Sequence, residues 1–267
     1  MIKFEHISAT TLKKFRKLQQ KKYRQLTNTF IIEGKKVIEE AIKSDWQIEA
    51  TLVTQEFIRD NANNQILKAL KASGTLCFEV SQKELDSISD TETTQGVAAI
   101  LKIKVFDMSV IQALEKQKAT VVVLDRVTDP GNLGTIIRTC DWFSVDAVVL
   151  SQNSIDLYNP KVVRSTMGAI FHIPVICEVE LENMIDELKD NKFEIVITML
   201  EGEPVPSFCF PPKAAFVFGS EAHGISNTLQ ARADIKLTIP KRGLIESLNV
   251  AVACGITLAY RSFSIKN

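Results

Sequence analysis

An unbroken apolar row from Thr120 to Leu124 stops at the turn Asp129-Pro-Gly-Asn132, and a helical pattern follows from about Leu133 to Phe143. β-Branched residues in such a row fit a strand covered on both faces. In the turn, proline fixes one dihedral angle and glycine supplies the permissive one. A strand that passes through such a turn into a helix N-terminus aims backbone N–H groups at an anion. The spacing matches neither the dinucleotide fingerprint nor the P-loop, so both nucleotide-cofactor readings fail here. Asn132 sits in the turn itself. Arg138, six residues on, interrupts an otherwise apolar helix start, where an arginine needs a partner or a task.

The rest of the chain reads as two parts. Residues 30–104 alternate between strand and helix: a strand at Phe30–Gly34, a helix through Ile42, a strand at Ile48–Val53, and a helix over about Asn64–Ala72. Strands at Leu76–Val80 and Gly96–Leu101 complete a small α/β sandwich. A more polar, partly helical connector runs from Lys102 to Lys118. Beyond it, Ala147–Leu150, Glu194–Thr198 and Ala214–Phe218 join Thr120–Leu124 as buried-strand candidates, which specifies a mostly parallel sheet. The expected division is therefore residues 1–104, a linker at 105–118, and residues 119–267.

Composition narrows the function. No apolar run reaches the roughly 18–20 residues that a bilayer span needs, and the basic N-terminus lacks the apolar core of a signal peptide. The five cysteines (77, 140, 177, 209 and 254) are scattered without a C-x-x-C pair, and the three histidines are isolated. Buried reduced thiols in a cytoplasmic protein fit that pattern, and a metal site does not. Net charge is zero, with 32 basic and 32 acidic residues, but the balance hides an asymmetry. Lys13, Lys14, Arg16, Lys17, Lys21, Lys22 and Arg24 place seven positive charges in twelve residues with no acid among them. Such a run is either a solvated helix face or a set of phosphate contacts.

Three polar, glycine-rich segments stand out in the second part, each after a strand: the turn with Asn132 and Arg138, then Phe218-Gly-Ser-Glu-Ala-His-Gly-Ile-Ser226, then Ile239-Pro-Lys-Arg-Gly-Leu-Ile-Glu-Ser-Leu-Asn-Val250. Loops that leave the carboxyl ends of parallel strands can meet at one rim, where α/β sheets bind ligands. The alternative is three ordinary turns, with Ser226, Ser247 or Asn249 as helix caps.

Together these segments resemble the three motifs of the SpoU (TrmH-like) RNA 2′-O-methyltransferases of the SPOUT superfamily. Asn159-Pro-Lys-Val-Val-Arg-Ser-Thr-Met-Gly168 is similar to the family's segment after the second strand. Lys22-Tyr-Arg24 with Phe30-Ile-Ile-Glu-Gly34 resembles its L30e-like RNA substrate-binding domain. The resemblance implies a C-terminal parallel sheet tied in a deep trefoil knot, a homodimer, and methyl transfer from S-adenosylmethionine to a ribose 2′-hydroxyl. Ribosomal RNA is the expected substrate, because transfer-RNA relatives often lack the N-terminal domain.

By position, the resemblance assigns cofactor contacts to Gly219, Ile239 and Leu248, with Thr198 and Met199 along the cleft wall. It assigns the catalytic centre to Arg138 and Asn132, with Glu221, Ser247 and Asn249 holding loops and substrate. A guanidinium keeps its proton. Arg138 is therefore expected to clamp phosphate and hydroxyl while lowering the hydroxyl's pKa, with Asn132 orienting the same group. Lys13, Lys14, Arg16, Lys17, Lys21, Lys22 and Arg24 would follow the RNA backbone, and Arg164 is either a phosphate ligand or half of a salt bridge. Two departures from the family pattern, Ala222-His223 in the second motif and Lys241 in the third, bear on substrate preference. The alternatives are transfer-RNA 2′-O-methylation and a non-catalytic RNA-binding protein on the same scaffold. An oxidoreductase fits less well, having no dinucleotide fingerprint.

Overall fold

The strands gather into two sheets. The computed structural model describes residues 4–91, 93–114, 117–220 and 222–264. One compact unit comprises Met1–Lys104 with Asp156–His172, the other Val105–Ile155 with Ile173–Asn267. The segment Asp156–His172, which includes most of the stretch after the second strand, thus belongs with the N-terminal residues, although the sequence places it inside the C-terminal part.

In the first unit, strands β1 (Glu5–His6), β2 (Thr29–Glu33), β3 (Ile48–Thr54), β4 (Leu76–Val80) and β5 (Val97–Lys102) form a mixed sheet in the order β1-β4-β3-β5-β2. The pairs β1–β4 and β3–β4 are parallel, and β5 runs antiparallel to both β3 and β2. Leu18, Ile31, Leu52, Val80, Leu85 and Ile100 pack one core. Helices Lys35–Lys43 and Asn64–Ala72 bury Val37, Ile38 and Ala41, and Ile66, Leu67 and Leu70, the spacing of one helical face.

In the second unit the six strands pair in parallel throughout. Strands β6 (Ala119–Asp125), β7 (Ala147–Ser151), β8 (Val175–Val179), β9 (Glu194–Pro204), β10 (Lys213–Gly219) and β11 (Ile235–Thr238) lie in the order β11-β9-β10-β6-β7-β8. Val121, Val123, Val149, Ile195, Ile197 and Val217 share one face, under the helix Leu181–Asp190 that buries Leu181, Met184, Ile185 and Leu188. Phe216 alternates to the other face, where Arg261 of the helix Val250–Ser264 lies over its ring. Burial on both faces explains the unbroken apolar rows. Strand β9 runs six residues past the expected Thr198, and its pairing with the edge strand β11 shifts register between Lys236 and Leu237. The helix after the first turn begins at Pro130 rather than Leu133, because Asp129 caps it and proline suits its first position.

Candidate functional site

The three glycine-rich segments leave β6, β10 and β11, all at the carboxyl end of the parallel sheet, where β6 and β10 are direct neighbours. Between the second and third segments and the end of β9 lies a cavity of about 660 Å³, and no residue of the first segment lines it. Thr198 and Met199 from β9, Gly219 from the end of β10, and Ile239, Ser247 and Leu248 from the third segment all line it. The five residues assigned to the cofactor by resemblance therefore share one wall.

Local chemistry explains the shape of that wall. Thr198 donates its hydroxyl hydrogen to the Val217 carbonyl at 3.2 Å, which fixes β9 against β10. A Cβ built on Gly219 would stand 2.1 Å from the Gly224 carbonyl carbon, so no side chain fits where this loop folds back on the strand end. Gly224 N donates to the Ser220 carbonyl at 2.8 Å and has φ of +61°, closing the turn. Glu221 lies outside the described residues.

Asn132 and Asn249 come together. Asn249 Nδ2 donates to Asn132 Oδ1 at 2.9 Å, joining the first and third segments across 117 residues of chain. Asn249 Oδ1 meanwhile accepts from Ala251 N at 2.9 Å and Val252 N at 3.3 Å, so it also caps the C-terminal helix. The capping alternative and the site reading hold at once for this residue. Asp129 caps the other helix, accepting from Asn132 N at 2.7 Å. Arg138 is exposed, two turns into the helix Pro130–Trp142, and does not line the cavity. Its apolar neighbours in sequence face inward, and it faces out.

Asp125 and Arg126, at the end of β6, escaped the sequence reading. Asp125 is 4% exposed, and its carboxylate accepts from Ser226 N at 2.8 Å and from Arg126 Nε at 2.8 Å. The bond to Asp125 raises the Arg126 pKa above its ordinary value against the opposing effect of burial. The available signal was an acid closing a fully apolar row, since a buried carboxylate needs partners. Among the thiols, Cys77, Cys140 and Cys254 are buried, and burial with the neighbouring Cys254 pushes Cys140 well up, so it stays protonated.

In the first unit, Lys13, Lys14, Arg16, Lys21 and Lys22 are exposed, and Lys17 is half-buried over the Tyr23 ring. Arg24 corrects the expectation that the whole run faces RNA. It is 3% exposed, pairs with Asp156, and donates from Nη1 to the Leu18 carbonyl at 2.7 Å. Burial against Asp156 and the Leu18 carbonyl takes it out of the basic surface. Arg164 makes the salt bridge alternative real, donating to Asp90 at 3.2 Å while Nη1 is buried without a hydrogen-bond partner. Among the described residues no cluster of three or more His, Cys, Asp or Glu could hold a metal, and no helix is long and apolar enough to cross a membrane.

The parallel sheet with a cavity at its carboxyl end and the unit that precedes it both match known proteins. Residues 119–259 match the SpoU rRNA Methylase family, and residues 9–99 match an MRM3-like substrate binding domain. The chain belongs to the SpoU rRNA methylase family. It is 36% identical over 260 residues, 96% of this chain and 97% of the relative, to the 23S rRNA (guanosine(2553)-2′-O)-methyltransferase RlmP of Bacillus subtilis. The AdoMet-bound rRNA methyltransferase from Sinorhizobium meliloti superposes with a TM-score of 0.84 at 28% identity, covering 99% of each chain. The SpoU methyltransferase AviRb from Streptomyces viridochromogenes shares the fold, with a TM-score of 0.86 at 23% identity over 96% of this chain and 98% of that one.

Proposed function

We propose that this chain is an S-adenosylmethionine-dependent methyltransferase that modifies a ribose 2′-hydroxyl of ribosomal RNA. One observation carries the reading: Thr198, Met199, Gly219, Ile239 and Leu248 line a single cavity, and the adjoining loops are tied by the Asn132–Asn249 bond. The residues fit the cofactor. The 660 Å³ cavity has room for a folded nucleoside with its amino-acid tail, and the side-chain-free contact at Gly219 lets backbone approach it. A relative named as a 23S rRNA 2′-O-methyltransferase, and a structure named as an AdoMet-bound rRNA methyltransferase, support the same choice.

The cofactor supplies a methyl group made electrophilic by its sulfonium. What remains for the protein is alignment and help with the proton of a poorly nucleophilic hydroxyl. Arg138 clamps the substrate phosphate and hydroxyl and favours the oxygen's anionic character. Asn132 orients the same group, held by Asn249. Ser247 steadies the third segment. Lys13, Lys14, Arg16, Lys17, Lys21 and Lys22 grip the RNA backbone, with Arg164 as a further phosphate ligand when it releases Asp90. The first unit serves as the substrate-binding module.

A homodimer and a knotted C-terminus belong to this reading, as does a cytoplasmic location. Trp142, Val252, Tyr260 and Phe263, exposed on the helices Pro130–Trp142 and Val250–Ser264, give a second copy an apolar face to cover. The test is transfer of tritiated methyl from labelled S-adenosylmethionine to total RNA from a strain lacking this protein, followed by nucleoside digestion. Label appears in one 2′-O-methyl nucleoside of ribosomal RNA, and Arg138→Ala lowers it by about 100-fold or more. Label in a base, in transfer RNA, or undiminished in Arg138→Ala overturns the assignment.

A further inference from the structure

We propose that Asp125 and Arg126 form a positioning pair that sets the cofactor-side wall of the cavity by holding the stretch Gly224–Ser226. The inference rests on the methyltransferase reading and deepens it. Asp125 is the last residue of β6 and lies in register with Gly219, the last residue of β10. Its buried carboxylate reaches past that neighbour to Ser226, one hundred and one residues on, whose backbone N–H it accepts at 2.8 Å. Arg126 Nε and Nη2 occupy the rest of the carboxylate at 2.8 and 3.2 Å. The same Nη2 approaches the Gly224 carbonyl at 3.5 Å.

The Gly224 peptide is thus held on two sides. Gly219 presses on it from the strand end, closer than any Cβ allows, and Arg126 faces its oxygen. Gly219, Gly224 and Ile225 all line the cavity, so a shift of this peptide moves the wall itself. Arg126 adopts φ of +55°, a left-handed conformation that costs a non-glycine residue about 1 kcal/mol or more. Its N–H is anchored by the Ser151 hydroxyl oxygen at 2.7 Å. Glycine would take that backbone freely. A side chain kept in a strained place, aimed at the loop that bounds the cavity, acts through that loop.

The distinguishing variant is therefore Arg126→Gly, which relieves the backbone and removes only the side chain. Calorimetric titration with S-adenosylmethionine is expected to show Kd raised about tenfold, the scale of losing one charge-assisted hydrogen bond. Its melting temperature falls because Asp125 loses its cation, and below that temperature kcat at saturating cofactor is nearly unchanged while cofactor KM rises. Arg126→Lys, which keeps a cation, recovers part of the affinity. Asp125→Asn, whose amide oxygen still accepts from Ser226, falls between wild type and Arg126→Gly. Wild-type Kd and KM in Arg126→Gly overturn the inference, whether or not Asp125→Asn folds. A wild-type protein that binds no S-adenosylmethionine brings down the functional reading and the inference with it.

Discussion

Among the described residues two arginines are buried, Arg24 in the first unit and Arg261 in the second, each 3% exposed, and their surroundings are opposites. Arg24 is met by a carboxylate, Asp156, and by the Leu18 carbonyl. Among the described residues no carboxylate is in hydrogen-bond contact with Arg261. Its guanidinium donates to the Thr120 hydroxyl at 2.6 Å and to the carbonyls of Pro211, Ala119 and Pro212 at 2.8 to 2.9 Å, and lies over the Phe216 ring. Burial pulls its pKa down to about 10, against a smaller opposing effect from Asp146. One unit buries a cation by neutralising it, the other by surrounding a still-charged fork with dipoles. The second route pins the C-terminal helix to the starts of β6 and β10, on the sheet end away from the cavity.

The largest expected effect tests the ion pair. Arg24→Ala leaves Asp156 without its cation and is expected to cost about 3–5 kcal/mol in urea unfolding. Adding Asp156→Ala should restore part of that loss. Next comes Arg261→Ala, expected at about 3 kcal/mol because several buried acceptors lose their donor together. Arg261→Lys should recover less than half, since an ammonium cannot reproduce the fork. A cost for Arg261→Ala above that of Arg24→Ala would reverse the ranking of the two devices.

Alkali separates them further. Between about pH 10 and the ordinary arginine range the unfolded chain holds the Arg261 proton more firmly than the folded chain does. Stability contributed at this site therefore rises with pH there. The gap between wild type and Arg261→Ala should widen from about pH 9 to about pH 11 in denaturant titrations.

A smaller effect on stability comes from replacing Lys13, Lys14, Lys21 and Lys22 by alanine. Unfolding free energy should change by less than about 0.5 kcal/mol, as at other surface positions. The slope of log affinity for RNA against log salt should meanwhile become shallower by about 3. Smallest of all, Asn249→Asp should keep the helix cap and the melting temperature. It loses the donor to Asn132, which should appear as slower methyl transfer with the fold intact.

The two arginines also mark how far the sequence could be read. Its apolar rows placed β6, β7 and β10 within a residue at each end, because a strand buried on both faces tolerates little else, but missed the polar extension of β9. The rim was legible only through long motifs: the Asn132–Asn249 bond joins residues 117 apart, and no local pattern announces it. Arg24 belonged by composition to a basic surface and by geometry to the interior. Its partner lies in a segment that composition left with the other unit. Asp125 was visible as an acid at the end of an apolar row, but its tie to Ser226 was not.

That distance has a consequence in time. The strands of the first sheet have all been synthesised once Lys102 has left the ribosome, yet Arg24 waits 132 residues for Asp156. Counted from Lys102, Asp156 follows 54 residues later, at about 5–20 residues per second roughly 3–11 s. During those seconds the nascent first unit carries an uncompensated cation at a position destined for burial. It must keep that helix loosely docked until the missing segment arrives.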